Sequence, residues 1–412
     1  MKTLEEHQDL IDLAEDGGHR EFAREAITFL ASCGPRRSRE SIVEWGVGAE
    51  RLALFEESTE AEEREQVAAA RAWQRTRWDA GFGWLAGPVE QGGRGLDPSY
   101  ERLYRTLESS FETPDAGPLR VGLGTVGPPI EVHGTPEQVE TYAAGIHRGD
   151  LIACQLFSEP GAGSDLAGVR TKGIVTEAGW KITGQKVWTS NAQFADVGLA
   201  LVRTDPKVPK HQGITAFLIP MRSPGIEVRP LRQMTGGASF NEVFLNDVEV
   251  GDELRLGPVG HGWQIALDTL SAERGDTGDR SHEMLSRAVE LLWQAAQRRG
   301  RAEDPRIRER WASVYTHVRV ARYQQTNGGG GLGTAGRAVD KLLLVANLRR
   351  IADLAREIVG QEMMVDEGRW GTFAWNRLMM GSLGYRIAGG TDEVLLGSLA
   401  TRALGMPSEG RA

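Results

Sequence analysis

The strongest constraint on how this chain folds is a change of periodicity in its middle. Between about residues 151 and 250 the sequence runs as short strand-like segments: LIACQLF, WKITGQKVW, VGLALVRT, GITAFLIP, IEVRPL and EVFLNDVEV. Gly, Pro, Asn and Asp separate them at short intervals, as in a barrel or sandwich. On both sides the period is helical. Phe22, Ala26, Phe29 and Leu30 form an amphipathic stripe, and residues 60–80 are rich in Ala, Glu and Arg. A further helix is expected around 99–111, after the break at Gly92-Gly93-Arg94-Gly95. Beyond about 252, Trp263, Ile265, Ala266 and Leu270 begin one helix, and Leu285, Ala288, Leu291, Leu292 and Ala295 continue or follow it. A long segment over 335–360 carries Val339, Leu342, Leu343, Ala346, Ile351, Ala355 and Ile358. The expected organisation is a helical domain over 1–150, a β-domain over 151–252 and a helical bundle over 253–412.

Composition narrows the function classes. A net charge of −9 gives no global basic field to attract nucleic acid or acidic lipid. The local run Arg298, Arg299, Arg301 reads as a solvated helix end. The two cysteines, Cys33 and Cys154, are far apart and form no C-x-x-C, so neither a zinc knuckle nor a disulfide framework is indicated. His133 and His261 lie beside loop glycines without metal-ligand spacing, and no metal is expected. No G-x-S-x-G elbow supports hydrolase chemistry. An acidic, amphipathic N-terminus and no long apolar run point to a cytoplasmic protein without a membrane span. Gly328, Gly330 and Gly333 satisfy G-x-G-x-x-G, but helical sequence precedes them where a dinucleotide site requires a strand. An interhelix loop is the expectation there.

Three clusters rich in glycine, hydroxyl or aromatic residues stand out, and the two in the middle region suit a flat, polar-edged ring. The first is Phe157-Ser158-Glu159-Pro160-Gly161-Ala162-Gly163-Ser164-Asp165, whose glycines let the backbone approach a bound group. The second is Trp188-Thr189-Ser190, an indole and a hydroxyl at the end of KITGQKV; read alone, Trp188 is also compatible with a strand core. The third is Ile387-Ala388-Gly389-Gly390-Thr391-Asp392-Glu393. Gln233-Met234-Thr235-Gly236-Gly237 adds a fourth polar segment that would equally serve as a hairpin turn.

These strings, and the order of helical, β and helical regions, closely resemble the flavin-dependent acyl-CoA dehydrogenase family. The resemblance covers nearly the whole chain and is strongest over 151–250. It implies an α+β fold with an N-terminal α-helical domain, a middle β-barrel and a C-terminal four-helix bundle. It implies FAD as cofactor. Phe157, Ser158, Ser164, Trp188, Ser190, Thr391 and Glu393 would carry cofactor contacts. Ser164 would lie near the CoA pyrophosphate, and Met234, Thr235 and Gly236 would border the acyl pocket. The implied partners are an acyl-CoA or carrier-bound acyl thioester, an electron-transfer flavoprotein, and further subunits in a homodimer, homotetramer or heteromer.

The implied reaction is α,β-desaturation of an acyl thioester. A carboxylate removes the α-proton, a β-hydride passes to flavin N5, and the thioester oxygen needs hydrogen-bond donors. Desolvation by a bound acyl chain would bring such a carboxylate's pKa toward working pH. Many family members place the base immediately before the G-T of the C-terminal loop, where this chain has Gly389. A second branch carries it on the first bundle helix in a string like L-x-x-E-R, matched here by Leu270-Ser271-Ala272-Glu273-Arg274. The resemblance thus assigns Glu273 as base, Arg274 as its electrostatic neighbour, and the Gly389 N–H as a donor to the thioester oxygen. Leu395-Leu396-Gly397-Ser398 stands where the family has a polar Q-R-N stretch, and Gly275–Asp279 departs from the usual apolar run. Two rival readings remain: a flavin oxidase or monooxygenase on the same fold, and a catalytically silent subunit of a heteromeric acyl-CoA dehydrogenase.

Overall fold

The computed structural model describes residues 2–14, 16–37, 45–46, 52, 54, 58–276, 278–326 and 334–407. Gly328, Gly330 and Gly333 lie outside them. The longer elements are labelled here in chain order. Helices α1 (Gly17–Cys33), α2 (Glu60–Asp79), α3 (Pro98–Glu108) and α4 (Gly127–His133) precede the sheet. Side chains set the starts of the first three. Asp16 accepts the His19 N–H, Thr59 and Glu62 form a capping box, and Asp97 caps α3 ahead of Pro98. Gly17-Gly18 is therefore the capped first turn of α1. Phe22, Ala26 and Leu30 are buried with Trp73, Phe82, Tyr104 and Phe111. Phe29 at the edge of that stripe stacks on Trp73 and Phe82.

The strands are β1 (Ala153–Leu156), β2 (Lys172–Thr176), β3 (Gly179–Ser190), β4 (Val197–Arg203), β5 (Ile214–Pro220), β6 (Ile226–Leu231), β7 (Phe240–Val250) and β8 (Arg255–Leu256). They pair in the order β6-β7-β3-β2-β4-β5-β8, with β1 parallel to β4. The expected barrel does not close: β6 and β8 are the two ends and do not pair with each other. The reason is that packing covers the sheet instead. On one face Leu199, Leu201, Ile214, Ala216 and Leu218 meet Val126, Ile130, Ile265 and Ala266 from flanking helices. On the other, Ala200, Val202, Phe217 and Ile219 meet Trp180, Ile182, Val243 and Leu245, so the sheet curls over its own strands. β4 and β5 are consequently buried along almost their whole length.

The C-terminal helices are α5 (Gly262–Asp276), α6 (Gly278–Arg298), α7 (Pro305–Thr326), α8 (Thr334–Val359), α9 (Phe373–Tyr385) and α10 (Asp392–Ser398). Leu285, Ala288, Leu291, Leu292 and Ala295 of α6 are fully buried against Val314 and Val318 of α7, Leu348 and Ile351 of α8, and Trp375 and Leu378 of α9. These four helices form the bundle. The basic run at its edge is only partly solvated: Arg299 pairs with Glu362 at 2.8 Å, and Arg301 donates to the Glu357 carbonyl. α5 stands apart, with Ile265 and Ala266 in the core shared with the sheet. His133, which the sequence places beside a loop glycine, bridges α4 to α5 through Asp268 at 2.8 Å. Among the described residues no helix is long and apolar enough to cross a membrane. No group of three or more His, Cys, Asp or Glu among them is arranged to hold a metal ion.

Candidate active site

One part of the site is built on β3. Lys186 is fully buried there, and its ammonium donates to Glu159 Oε1 at 2.8 Å, the Phe157 carbonyl at 3.1 Å and the Leu201 carbonyl at 2.7 Å. Glu159 in turn accepts the backbone N–H groups of Arg170 at 2.6 Å and Thr171 at 2.9 Å. Burial opposes charge on the Glu159 carboxyl, but Lys186 and these donors outweigh it and hold its pKa below the usual range. Burial likewise pushes the Lys186 pKa down, and Glu159 only partly offsets that. The Val187 N–H donates to the Ser158 carbonyl at 2.9 Å. The segment Phe157–Glu159 is thereby fastened to the strand that ends in Trp188.

A register shift between Lys186 and Thr189 interrupts the β3–β7 pairing. In that bulge Trp188 adopts φ 62°, a left-handed conformation that costs a bulky residue about 1–3 kcal/mol and is concentrated at functional sites. Its indole is turned outward, 60% exposed, with only an edge contact to Phe240. A strand-core role for Trp188 is therefore excluded. Ser190, two residues on, is half-buried. A Cβ on Gly161 or Gly163 would meet nothing within 4 Å, so the turn beside Ser158 is open on that side, and Ser164 is exposed. Gln233–Gly237 is the hairpin turn between β6 and β7. Met234 there is 65% exposed, and Thr235 Oγ1 is buried without a hydrogen-bond partner.

The other part joins α5 to the loop between α9 and α10. Gly389 and Gly390 have φ 65° and 102°, conformations that L side chains rarely adopt. Thr391 then caps α10, accepting the Val394 N–H, and Glu393 sits exposed in its first turn. A Cβ placed on Gly389 would lie 3.6 Å from Glu273 Oε1. The half-buried Glu273 carboxylate thus lies, from the last turn of α5, in ordinary contact distance of the position a Cβ at 389 would take. Helix α5 continues through Asp276, so Gly275 and Asp276 do not divert it before Glu273. Arg274 is helical, but its side chain lies outside the described residues. Lys341 of α8 donates to the Tyr385 and Ala388 carbonyls, and Arg337 of the same helix donates to Ser271 Oγ at 2.8 Å. The sequence reading quoted Glu159 only within its glycine-rich string and missed Lys186, Lys341 and Arg337 as site residues. Only Lys186 had left a signal there, at an inward position of the β3 alternation Trp180, Ile182, Gly184, Lys186.

A curled sheet is thus set between helical regions, with an outward tryptophan on a bulge at one of its strands and a carboxylate beside a di-glycine loop. Residues 154–248 match the family model described as acyl-CoA dehydrogenase, middle domain, and residues 260–404 the one described as acyl-CoA dehydrogenase, C-terminal domain. The chain belongs to the acyl-CoA dehydrogenase family, whose members are oxidoreductases. It is 40% identical to acyl-CoA dehydrogenase FadE34 of Mycobacterium tuberculosis over 86% of its own length, but it spans only about half, 48%, of that protein. It is 34% identical to acyl-CoA dehydrogenase IpdE1 of the same organism, over 85% of this chain and 91% of that one. Among solved structures it is similar to the Tcur3481-Tcur3483 steroid ACAD, with a TM-score of 0.72 and 25% identity over 96% of this chain and 100% of that chain. The fold is shared with butyryl-CoA dehydrogenase from Megasphaera elsdenii, with a TM-score of 0.66 and 20% identity over 85% and 100% of the two chains.

FAD is the cofactor of this family. The residues present fit such a group: an exposed indole on a strained bulge, a glycine turn open beside Ser158, and the orphaned Thr235 hydroxyl all suit a bound ring and its polar edge.

Proposed function

We propose that this chain is an FAD-dependent acyl-CoA dehydrogenase that removes the α- and β-hydrogens of an acyl thioester, with Glu273 as the base. The observation that carries this reading is the approach of Glu273 Oε1 to the side-chain space of Gly389. One carboxylate on α5 lies beside the loop position that a loop carboxylate would otherwise serve. When bound, FAD supplies the hydride acceptor, its N5.

The chain's own residues do the rest. Glu273 takes the α-proton. The Gly389 N–H stabilises the thioester oxygen as it gains charge, a contribution of roughly 2.7–4 kcal/mol for a preorganised donor. Arg274 is the electrostatic neighbour of the base. Phe157, Ser158, Ser164, Trp188, Ser190, Thr391 and Glu393 hold the cofactor, and Ser164, Met234, Thr235 and Gly236 border the substrate. The product is the α,β-unsaturated thioester, and the electrons leave to an electron-transfer flavoprotein. In this reading the three domains run over 1–150, 151–252 and 253–412.

A second reading concerns assembly. Val394, Leu396, Leu404 and Met406 at the C-terminal end are all exposed apolar residues, and two solved relatives are named as pairs, Tcur3481-Tcur3483 and the ChsE4-ChsE5 complex. Both observations support a partner subunit over this segment. The name steroid ACAD supports including bulky steroid side-chain thioesters among the substrates tried.

The test is product formation. The FAD-loaded chain, given a panel of acyl-CoA thioesters and an artificial electron acceptor, should yield the unsaturated thioester by mass spectrometry, with little peroxide in air. Rapid peroxide release would favour the oxidase reading instead. Loss of activity only in the absence of a co-purified homologue would favour the silent subunit. Trp188→Ala should keep the fold and release FAD on dialysis; full cofactor content after dialysis would exclude the indole from the seat.

A further inference from the structure

We infer that Lys341 is a positioning residue for the oxyanion donor: its ammonium holds and polarises the peptide unit whose N–H belongs to Gly389. The inference rests on the reading of Glu273 and Gly389 given above. Lys341 Nζ donates to the Ala388 carbonyl at 2.8 Å and to the Tyr385 carbonyl. The Ala388 carbonyl and the Gly389 N–H are the two ends of one planar trans peptide, so they point in opposite directions. A cation fixed on the oxygen therefore aims the N–H away from α8. It also draws electron density from the amide, which makes the N–H a stronger donor.

The need for such an anchor follows from the loop. Gly389 and Gly390 both take left-handed conformations, at φ 65° and 102°. Two adjacent glycines have little intrinsic preference for one peptide orientation. The plane of the Ala388–Gly389 peptide turns with Ala388 ψ and Gly389 φ, and glycine restrains the second only weakly. The cation on the Ala388 carbonyl constrains that plane.

Helix α8 also holds the opposite wall. Arg337 and Lys341 are one helical turn apart and share a face. Arg337 donates to Ser271 Oγ at 2.8 Å on α5, two residues before Glu273. The same face of α8 thus fixes both the helix that carries the base and the loop that carries the donor. A rival account is that Lys341 only caps α9, whose terminal Tyr385 carbonyl it also binds. The two accounts differ in what the substrate feels.

The experiment compares wild type with Lys341→Met, Lys341→Gln and Lys341→Arg in the FAD-loaded protein. The readouts are the infrared carbonyl stretch of a bound, carbonyl-labelled, non-oxidisable acyl-CoA analogue, and kcat and KM separately. We expect the bound carbonyl of the wild type to be shifted to lower frequency than in solution. Lys341→Met should lose most of that shift and lower kcat by roughly 10- to 100-fold, with KM changed far less. Lys341→Gln, a neutral donor, should fall between, and Lys341→Arg should recover both quantities. A methionine variant that is less stable but keeps the wild-type carbonyl shift would overturn the proposal in favour of the cap. If that variant does not fold, an unaltered shift in Lys341→Gln overturns it equally. A wild type that oxidises thioesters while a variant matches its shift sinks Lys341 alone; a wild type that neither polarises nor oxidises any thioester sinks the underlying reading as well.

Discussion

Glu273→Gln is expected to retain FAD and to lose turnover by roughly 10²–10⁴-fold, the range that separates enzymes with and without a positioned general base. The amide keeps the size of the carboxyl group, so the approach of its oxygen or nitrogen to Gly389 should survive. What it cannot do is accept the α-proton. The prediction is specific because Glu273, in the last turn of α5, lies next to a loop position that carries no side chain, with 3.6 Å between Oε1 and a Cβ placed on Gly389. Within this account no loop carboxylate stands in at 389 to take over. Cofactor content and thermal midpoint near wild type, with kcat reduced and KM little changed, is the expected pattern. Unchanged kcat would remove Glu273 from the mechanism.

The second large effect is on stability. Lys186→Met should destabilise the fold by about 3–5 kcal/mol, because it strands a buried carboxylate without its counter-charge. Glu159 would keep the N–H groups of Arg170 and Thr171 but lose the ammonium 2.8 Å away, and the carbonyls of Phe157 and Leu201 would lose their shared donor. The double variant Lys186→Met with Glu159→Gln should cost less than the sum of the single variants, since neither group is then left charged alone. Urea midpoints measure this directly; a single-variant loss below about 1 kcal/mol would contradict the account. Lys186→Met should also loosen FAD, because the same ammonium fastens Phe157–Glu159 to the strand ending in Trp188.

The pair sets a sign for acid sensitivity. The folded Glu159 pKa lies below its ordinary value. Its contribution is therefore fully present above the unfolded carboxylate value and is lost as pH falls through the folded one. Acid unfolding of wild type should be steeper in that range than that of Glu159→Gln.

Much of this was legible from residues alone, for identifiable reasons. The strands over 153–250 announce themselves because β-branched residues alternate and turn residues bound them. Helix α2 does so through its Ala-, Glu- and Arg-rich composition and α8 through a long apolar period. Sheet closure was not legible, because nothing local in IEVRPL or in Arg255–Leu256 says whether the two edges meet. That depends on helices packing over the sheet. The orientation of Trp188 was hidden for a different reason. Parity along β3 places it on the face opposite Lys186 only after the bulge between Lys186 and Thr189 is known. Lys341 was hidden because a polar residue beside Leu342 and Leu343 reads as the wet edge of a helix. Its reach to the Ala388 carbonyl exists only once α8 and α9 are packed.

The central claim is tested most directly by anaerobic titration of the FAD-loaded chain with acyl thioesters, read as loss of the flavin's visible absorption, in wild type and Glu273→Gln side by side. The account predicts that at least one thioester bleaches the wild type quickly while the glutamine variant binds it and stays yellow. Equal bleaching of both proteins, or no bleaching of the wild type by any thioester, would contradict it.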